Sequence, residues 1–288
     1  MLRCCLFLAL SATCPAAPLR VATLSTVLTE VAAEVGGPDV TVAAILQPGV
    51  DPHTFEPAPS DLRVLARADL VLASGLGLEN YLDKIAVNSG TRGAIIEAGR
   101  ILGPAVLSVE ARGRSEPDPH WWHSIAAMIS VTRRVAGELA ILRPSAAARF
   151  QARADAYTGR LTALGDWARA ALAAIPAERR QLVTTHNAFG WFARDYGFTV
   201  HAISGLSPEA EPDARDFGRL AEFIRRERIP AIFTESSESP KLAEALARET
   251  GARLGGALYA DGLVPEPDGA TYESMFRHNV QTIVAALK

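Results

Sequence analysis

Cysteine is nearly absent from this 288-residue chain, and its few copies lie at one end. Cys4, Cys5 and Cys14 all fall within the first 14 residues, so the rest of the chain can form neither a disulfide framework nor a thiolate metal site. Positive charge is not in excess, because 29 Lys and Arg stand against 32 Asp and Glu, and this balance argues against a nucleic-acid partner. Neither a membrane-spanning apolar run of about 18 residues nor a Gly-x-x-x-x-Gly-Lys-[Ser/Thr] phosphate loop occurs. A hydrophobic content of 49% nevertheless supports a well-packed core.

The first 17 residues form a pattern that is typical of an export signal. Arg3 supplies a positive charge, residues 4–10 an apolar run, and residues 16–17 a small-residue cleavage site. We therefore expect residues 1–17 to be a signal peptide cleaved near residue 17, and the mature protein to be exported. A buried first helix and lipidation at Cys14 are the alternatives, although the residues before Cys14 match the usual lipidation pattern poorly.

Short β-type runs alternate with amphipathic helices on both sides of one long helical segment. This alternation predicts an α/β fold of two lobes, each with a mostly parallel sheet flanked by helices. A helix over residues 144–174 would be about 45 Å long, and helices of this length usually join two units. We expect an N-terminal lobe over 18–142, a rigid linker helix over 143–175 and a C-terminal lobe over 176–288. Residues 103–119 lack periodicity and are expected to form a loop.

Three of the six histidines and one aspartate occupy positions where open α/β sheets bind ligands. His53 and His186 follow predicted strands, His120 precedes a helix expected to begin at Trp121, and Asp261 follows the last strand. Two of these residues belong to each lobe, so all four can converge in the cleft between the lobes. Three imidazoles and one carboxylate form a closed set that suits tetrahedral Zn²⁺. The spacings alone carry no metal signature, since any one histidine is more often an ordinary surface or core residue.

The segments around these residues resemble the periplasmic zinc/manganese solute-binding proteins of ABC transporters. They follow the family order over essentially the whole mature chain: residues 48–57 (PGVDPHTFEP), 118–122 (DPHWW), 185–192 (THNAFGWF), 204–208 (SGLSP), 235–242 (ESSESPKL) and 258–263 (LYADGL). The resemblance implies two α/β lobes tied by one long helix, and metal ligands at His53, His120, His186 and Asp261. It also implies a carrier rather than an enzyme, which captures Zn²⁺ in the periplasm and delivers it to an ABC permease in the inner membrane.

The chain departs from the family pattern at several places. Residues 103–119 contain no histidine, whereas many zinc-specific members carry a His-rich loop there, and the disulfide that some members have in the second lobe is impossible here. His123 stands where relatives usually have an aliphatic residue, and we expect an accessory role for it outside the ligand set. Glu235 is expected to orient a ligand histidine or to serve as a spare carboxylate ligand. His201 and His278 are expected to be structural.

Zn²⁺ is the expected metal, with Mn²⁺ as second choice. Imidazole suits zinc, whereas Mn²⁺ favours carboxylate oxygen, and manganese members of the family tend to have Glu at the position of His186. A secreted zinc hydrolase is the rival function, but catalytic zinc keeps one open position that a fourth ligand at Asp261 would fill. A metal-dependent adhesin would need a lipid anchor. We expect a monomer without a nucleic-acid partner, and a periplasmic metallochaperone stays open as a partner besides the permease.

Overall fold

The computed structural model describes residues 16–111, 114–207 and 214–288. The predicted signal peptide therefore lies outside the described residues except for its last two positions, and so does Cys14 with the lipidation alternative. Within the described ranges, no helix is both long enough and apolar enough to cross a bilayer.

The first half of the chain forms a parallel four-stranded sheet with helices on both faces. Its elements are β1 (Leu19–Thr23), α1 (Thr26–Gly36), β2 (Val40–Ala44), α2 (Pro59–Leu65), β3 (Leu70–Ala73), α3 (Leu82–Asn88) and β4 (Ala94–Glu97). The strand order is β2-β1-β3-β4, and all neighbouring pairs are parallel. Every residue of β3 is buried, as expected for a continuous apolar run in a central strand that is covered on both faces.

The second half repeats this architecture after two long central helices. The central helices are α4 (Ile125–Leu142) and α5 (Ala147–Leu172), and the later elements are β7 (Gln181–Thr184), α6 (Gly190–Tyr196), β8 (Thr199–Ala202), α7 (Ala214–Glu227), β9 (Ala231–Glu235), α8 (Lys241–Thr250), β10 (Arg253–Leu258) and α9 (Tyr272–Leu287). The strand order is β10-β9-β7-β8. Counted from the opposite edge, this order places the four strands of the second half as β2-β1-β3-β4 places those of the first, and the neighbouring pairs are again parallel. The predicted α/β fold with two parallel sheets and a long joining helix is confirmed; the lobe boundaries at 18–142, 143–175 and 176–288 stay a prediction.

The expectation of a loop over residues 103–119 is wrong for part of that segment. Strand β5 (Ser108–Ala111) pairs with β6 (Arg114–Pro117) in antiparallel register, from Ser108 opposite Pro117 to Ala111 opposite Arg114. The two strands have four residues each, too few to show a clear alternation of polar and apolar residues. Backbone pairing across a short connection forms this hairpin.

The expected helix start at Trp121 is also wrong. Residues Trp121–His123 form a single 3-10 turn, and α4 begins only after Ser124. Ser124 is extended, and its Oγ accepts a hydrogen bond from the backbone N of Ala127 at 3.2 Å, so it is the N-cap of α4. The three residues that follow His120 therefore lie in a short turn beside the cleft, separate from α4.

Helix α5 is shorter than expected and is packed along most of its length. A 3-10 turn at Pro144–Ala146 precedes it, and its 26 residues span about 39 Å. It lies against α1, α4 and α9. One hydrophobic cluster includes Val21 of β1, Phe150 of α5, Leu182 of β7 and Phe233 of β9, so the inner faces of both sheets share a continuous core.

An ion-pair cluster ties the first sheet to α5. Asp39, at the start of β2, accepts hydrogen bonds from Arg149 at 2.6 and 3.0 Å and from Arg153 at 3.1 Å. The hydrogen bonds of Arg149, followed by those of Arg153 and the charges of both guanidinium groups, lower the pKa of Asp39 from 3.8 to about 2 against the opposing effect of burial.

Replacing Asp39 with Asn should lower the melting temperature at neutral pH by about 2 °C, since the side chain of Arg149 is 54% exposed and water screens its ion pair with Asp39. A carboxyl whose pKa is lowered by folding stabilises the protein at pH values above its ordinary pKa of 3.8. This contribution is lost as the pH falls toward about 2. Thermal unfolding of both proteins between pH 7 and pH 2.5 measures the gap. The control is Asp166→Asn, which removes an exposed ion pair between Asp166 and Arg169 on α5. A gap of equal size at both pH values would contradict this account.

Candidate metal centre

Four side chains from four separate segments converge in the cleft between the two sheets. Their ligand-type atoms, one from each of His53, His120, His186 and Asp261, all lie within 4.8 Å of one another. The Nε2 of His120 is 3.3 Å from the Nε2 of His53 and 3.3 Å from that of His186. The Oδ1 of Asp261 is 3.3 Å from the Nε2 of His186, 3.5 Å from that of His53 and 3.9 Å from that of His120.

These separations match the edges of a coordination tetrahedron. Ligands about 2.0–2.2 Å from a tetrahedral ion lie about 3.3–3.6 Å from one another. Four of the five separations fall in this range, and the fifth, 3.9 Å between Asp261 and His120, is slightly longer. The Oδ1 of Asp261 is buried and has no hydrogen-bond partner among the described residues. The arrangement therefore suits a single divalent cation at its centre.

His120 is held by the carboxylate that lies two residues before it. Asp118 is fully buried, and its Oδ1 accepts hydrogen bonds from the backbone N of His120 at 2.9 Å and from the ring Nδ1 at 2.8 Å. A proton on Nδ1 leaves the lone pair of Nε2 free to bind a metal and fixes the plane of the ring. Burial lowers the pKa of His120 below 6.5, although Asp118 opposes that shift, so this imidazole is ready to bind metal in its neutral form.

His186 is held by carboxylates at the end of β9 and in the loop that follows it. It lies two residues after β7, and its backbone N donates to Oε1 of Glu235, the last residue of β9, at 3.1 Å. The ring Nδ1 contacts Oε2 of Glu235 and lies 2.8 Å from Oε1 of Glu238. These contacts direct Nε2 toward the centre of the site. Glu235, Glu238, His186 and Asp261 also form a second group whose atoms lie within 4.8 Å.

The loop after β2 carries His53. Its backbone N donates to Oδ1 of Asp51 at 2.8 Å, and its carbonyl accepts from Nδ2 of Asn80 at 3.1 Å. His53 is 7% exposed, whereas His120 and His186 are completely buried. A cleft of 780 Å³, lined by residues of both lobes, opens beside His53. Of the three histidines, His53 is therefore the one that borders this cleft.

Asp261 lies in the loop after β10, and this loop makes a close contact with the first lobe. The Oδ2 of Asp261 accepts a hydrogen bond from the Oγ of Ser237 at 2.6 Å, which leaves Oδ1 for the centre of the site. Gly262 has φ +136°, and a Cβ at this position would lie 2.5 Å from the Oγ1 of Thr26 in α1. Glycine is therefore required for the turn that brings Asp261 to the histidines.

Charge at the centre is concentrated on Asp261 and His186. Burial favours the neutral form of each, but their mutual attraction, together with the charge of Glu235, overrides it. The pKa of Asp261 falls well below 3.8, and the pKa of His186 rises well above 6.5. The proton on His186 thus occupies the position of positive charge that a metal ion would take, and metal binding would release it.

Comparison with known proteins places the chain in a family. Residues 21–286 match the family described as zinc-uptake complex component A, periplasmic (ZnuA). The chain belongs to this family. It is 36% identical over 277 residues to the zinc-binding protein TroA of Treponema pallidum, covering 94% of this chain and 89% of TroA. It is 34% identical over 276 residues to the manganese-binding lipoprotein MntA of Bacillus subtilis, covering 94% and 90%.

Solved structures of periplasmic metal-binding proteins share the fold. The periplasmic zinc-binding protein TroA superposes with a TM-score of 0.87 at 34% sequence identity, over 94% of this chain and 99% of that structure. A manganese-bound periplasmic metal-binding protein from Candidatus Liberibacter asiaticus gives a TM-score of 0.85 at 26% identity, over 94% and 100%. The predicted resemblance is confirmed. As a member, the chain is a metal-binding, substrate-binding component of an ABC transporter.

The predicted site residues divide into two groups. The structure brings His53, His120, His186 and Asp261 together at the centre and places Glu235 against the far side of a ring. His123 points away from the centre, is buried, and donates from Nε2 to the carbonyl of Ala260 at 2.8 Å. Burial lowers its pKa to about 3, so it is neutral.

The remaining two histidines lie outside the centre. His201 contacts Oε1 of Gln181 at 2.7 Å on β7, and His278 on α9 contacts the carbonyl of Ala257 at 2.9 Å. Neither belongs to a group of potential metal ligands among the described residues.

Sequence reasoning missed the groups that hold the ligands. The resemblance includes Asp118 within residues 118–122 but gives it no role, although a carboxylate two residues before a histidine can reach its backbone N and its ring. Glu238, Ser237 and Asn80 were not singled out. Glu238 and Ser237 lie within three residues of Glu235, so proximity to a predicted site residue was the available signal. Asn80 is far from His53 in sequence, and only the fold brings them together.

Proposed function

We propose that this protein captures one Zn²⁺ ion in the periplasm and delivers it to its ABC permease in the inner membrane. The observation that carries the proposal is the centre itself. Three Nε2 atoms and one carboxylate oxygen lie at separations typical of tetrahedral coordination, and partners on the far side orient two of the rings.

The ligand types favour zinc over manganese. Three borderline nitrogen donors and one oxygen are a common zinc set, whereas Mn²⁺ prefers more oxygen and a higher coordination number. Manganese is the second choice, since a relative named for manganese, MntA, is about as similar to this chain as the zinc-binding TroA. Their names alone do not separate the two metals, so the preference for zinc rests on the imidazole of His186.

A carrier explains the site better than a hydrolase does. A catalytic zinc needs an open position for water, and Asp261 supplies a fourth protein ligand, with its Oδ1 within 3.9 Å of the Nε2 atoms of all three histidines. The proposal therefore includes no enzymatic activity. It includes export by a signal peptide cleaved near residue 17 and a monomeric carrier. Loading by a periplasmic metallochaperone is compatible with it.

Isothermal titration of metal-free protein should show one Zn²⁺ per chain. A ligand that binds only the folded state at about a thousand times its Kd adds about 4 kcal/mol of stability. For a chain of this length, that corresponds to a rise in melting temperature of about 10 °C. Differential scanning fluorimetry with and without excess Zn²⁺ measures the shift, and a chelator should reverse it.

The same titration with Mn²⁺ tests the choice of metal. We expect weaker binding and displacement of bound Mn²⁺ by Zn²⁺. A second equally tight zinc site would contradict the single-site proposal and direct attention to the group formed with Glu235 and Glu238. Displacement of bound Zn²⁺ by equimolar Mn²⁺ would contradict zinc as the cargo. Hydrolysis by the zinc-loaded protein would favour the enzyme instead.

A further inference from the structure

The peptide group immediately before Asp261 is held by the first lobe. The carbonyl oxygen of Ala260 accepts two hydrogen bonds, one from Nε1 of Trp122 and one from Nε2 of His123, each 2.8 Å long. Both donors belong to the 3-10 turn that follows His120, and both side chains are about 1% exposed. A second-lobe ligand is thereby fastened to the segment that carries a first-lobe ligand.

Two further hydrogen bonds fasten the other end of the same loop. The backbone N of Leu263 donates to the Oγ1 of Thr26 at 2.9 Å, and its carbonyl accepts from the backbone N of Gly49 at 3.0 Å. Asp261 and Gly262 thus form a two-residue bridge between attachments to the first lobe. The carbonyl of Ala260 shares a peptide plane with the N of Asp261, so the Ala260 attachment acts most directly on the ligand.

His123 both donates a hydrogen bond and packs as an aromatic ring. Its ring stacks on Phe189 at a centroid distance of 4.4 Å and a tilt of 29°. An apolar ring would fill this space equally well, but it could not donate to Ala260. Removing the donor would leave a buried carbonyl with one hydrogen bond in place of two and would loosen the peptide that carries Asp261.

We propose that His123 is a positioning residue for metal capture, which sets the position of Asp261 by holding the carbonyl of Ala260. The inference rests on the proposed function, because it assigns His123 to the fourth ligand of that metal site. The expected consequence is faster release of the metal rather than a change in its stoichiometry. The residue itself does not touch the ion.

A pair of substitutions separates the donor from the ring. His123→Phe keeps an aromatic ring against Phe189 and removes the donor, whereas His123→Gln keeps an N–H in a position similar to that of Nε2. We expect His123→Phe to weaken Zn²⁺ binding about tenfold, the lower end of the effect of removing an outer partner of a metal ligand. His123→Gln should stay within about threefold of the original protein. Competition with a fluorescent chelator gives the affinities.

A double-mutant cycle tests whether the effect passes through Asp261. In an Asp261→Ala background, His123→Phe should change zinc affinity less than twofold, since the ligand it positions is gone. His201→Phe, at a histidine that packs on Phe223 outside the centre, should leave the affinity unchanged. Melting temperatures of the metal-free proteins show that each variant is folded.

Three results would overturn the inference while leaving the carrier intact. They are an unchanged affinity in His123→Phe, an equal loss in His123→Gln, and a full tenfold loss that persists in the Asp261→Ala background. If metal-free His123→Phe does not fold, His123→Gln and its cycle with Asp261→Ala decide: a loss of more than about threefold in His123→Gln overturns the inference. A parent protein that fails to bind Zn²⁺ in the same titration refutes the proposed function, and the inference with it.

Discussion

Replacing His120 with alanine is expected to lower the affinity for Zn²⁺ by about three orders of magnitude or more. His120 lies at the middle of the ligand set, with its Nε2 3.3 Å from two other ligand nitrogens, and it is completely buried. Tight zinc sites bind with about 10–16 kcal/mol shared among four ligands, so one lost ligand removes several kcal/mol. Alanine also leaves the carboxylate of Asp118 buried without its ring partner. Chelator competition on metal-free protein measures the change.

His201→Ala is the matched control for this substitution. It removes a partly buried imidazole from β8 that contacts Gln181 and Phe223 and that lies outside the centre. Its affinity should equal that of the parent protein. An affinity for His120→Ala within tenfold of the parent value would show that His120 is not a ligand and would contradict the tetrahedral site. The circular dichroism of both metal-free variants verifies the fold.

His186→Glu is expected to shift the metal preference from Zn²⁺ toward Mn²⁺ by about two orders of magnitude. The substitution replaces a borderline nitrogen donor with a hard oxygen and adds negative charge to the centre. The new carboxylate would face Glu235 and Glu238, the two residues that contact the ring of His186. These three carboxylates repel one another before the metal binds. Part of the free energy of Mn²⁺ binding therefore offsets this repulsion. Competition titrations with both metals give the ratio of affinities.

Glu238→Gln distinguishes ligand type from charge. This variant changes the charge next to His186 and leaves all four predicted ligands in place, so its zinc-to-manganese ratio should stay close to that of the parent. The combined variant with His186→Glu and Glu238→Gln reduces the repulsion and serves if the single substitution destabilises the protein. An unchanged ratio in both His186→Glu variants would mean that the third ligand does not determine the metal.

The fold was largely predictable from local patterns. Apolar runs such as β3 and the stripe of Phe150, Leu161 and Leu172 on α5 identify buried elements, and both are buried in the structure. The hairpin of β5 and β6 was missed because its strands are short and polar. The start of α4 after its N-cap, Ser124, was missed because Trp121 and Trp122 are apolar. They extend the hydrophobic pattern of the helix back into the 3-10 turn that precedes Ser124.

The candidate site was predictable only in part. Strand ends and the resemblance located His53, His120, His186 and Asp261, but neither could give their mutual distances. Those distances depend on how two sheets that are far apart in sequence pack against each other. The partner of His53, Asn80, and the partners of Leu263 at Thr26 and Gly49 are long-range contacts that no local pattern encodes.

The core shared by the two lobes bears on the resistance of the protein to proteolysis. Val21 and Phe233 belong to one hydrophobic cluster, so opening either lobe alone would expose apolar surface of the other. Cleavage within the sheets then requires the whole molecule to open, and the global free energy of unfolding controls its rate. Metal bound at the cleft raises that same free energy. A loaded carrier would thus outlast a metal-free one, and degradation itself would favour molecules that hold their cargo.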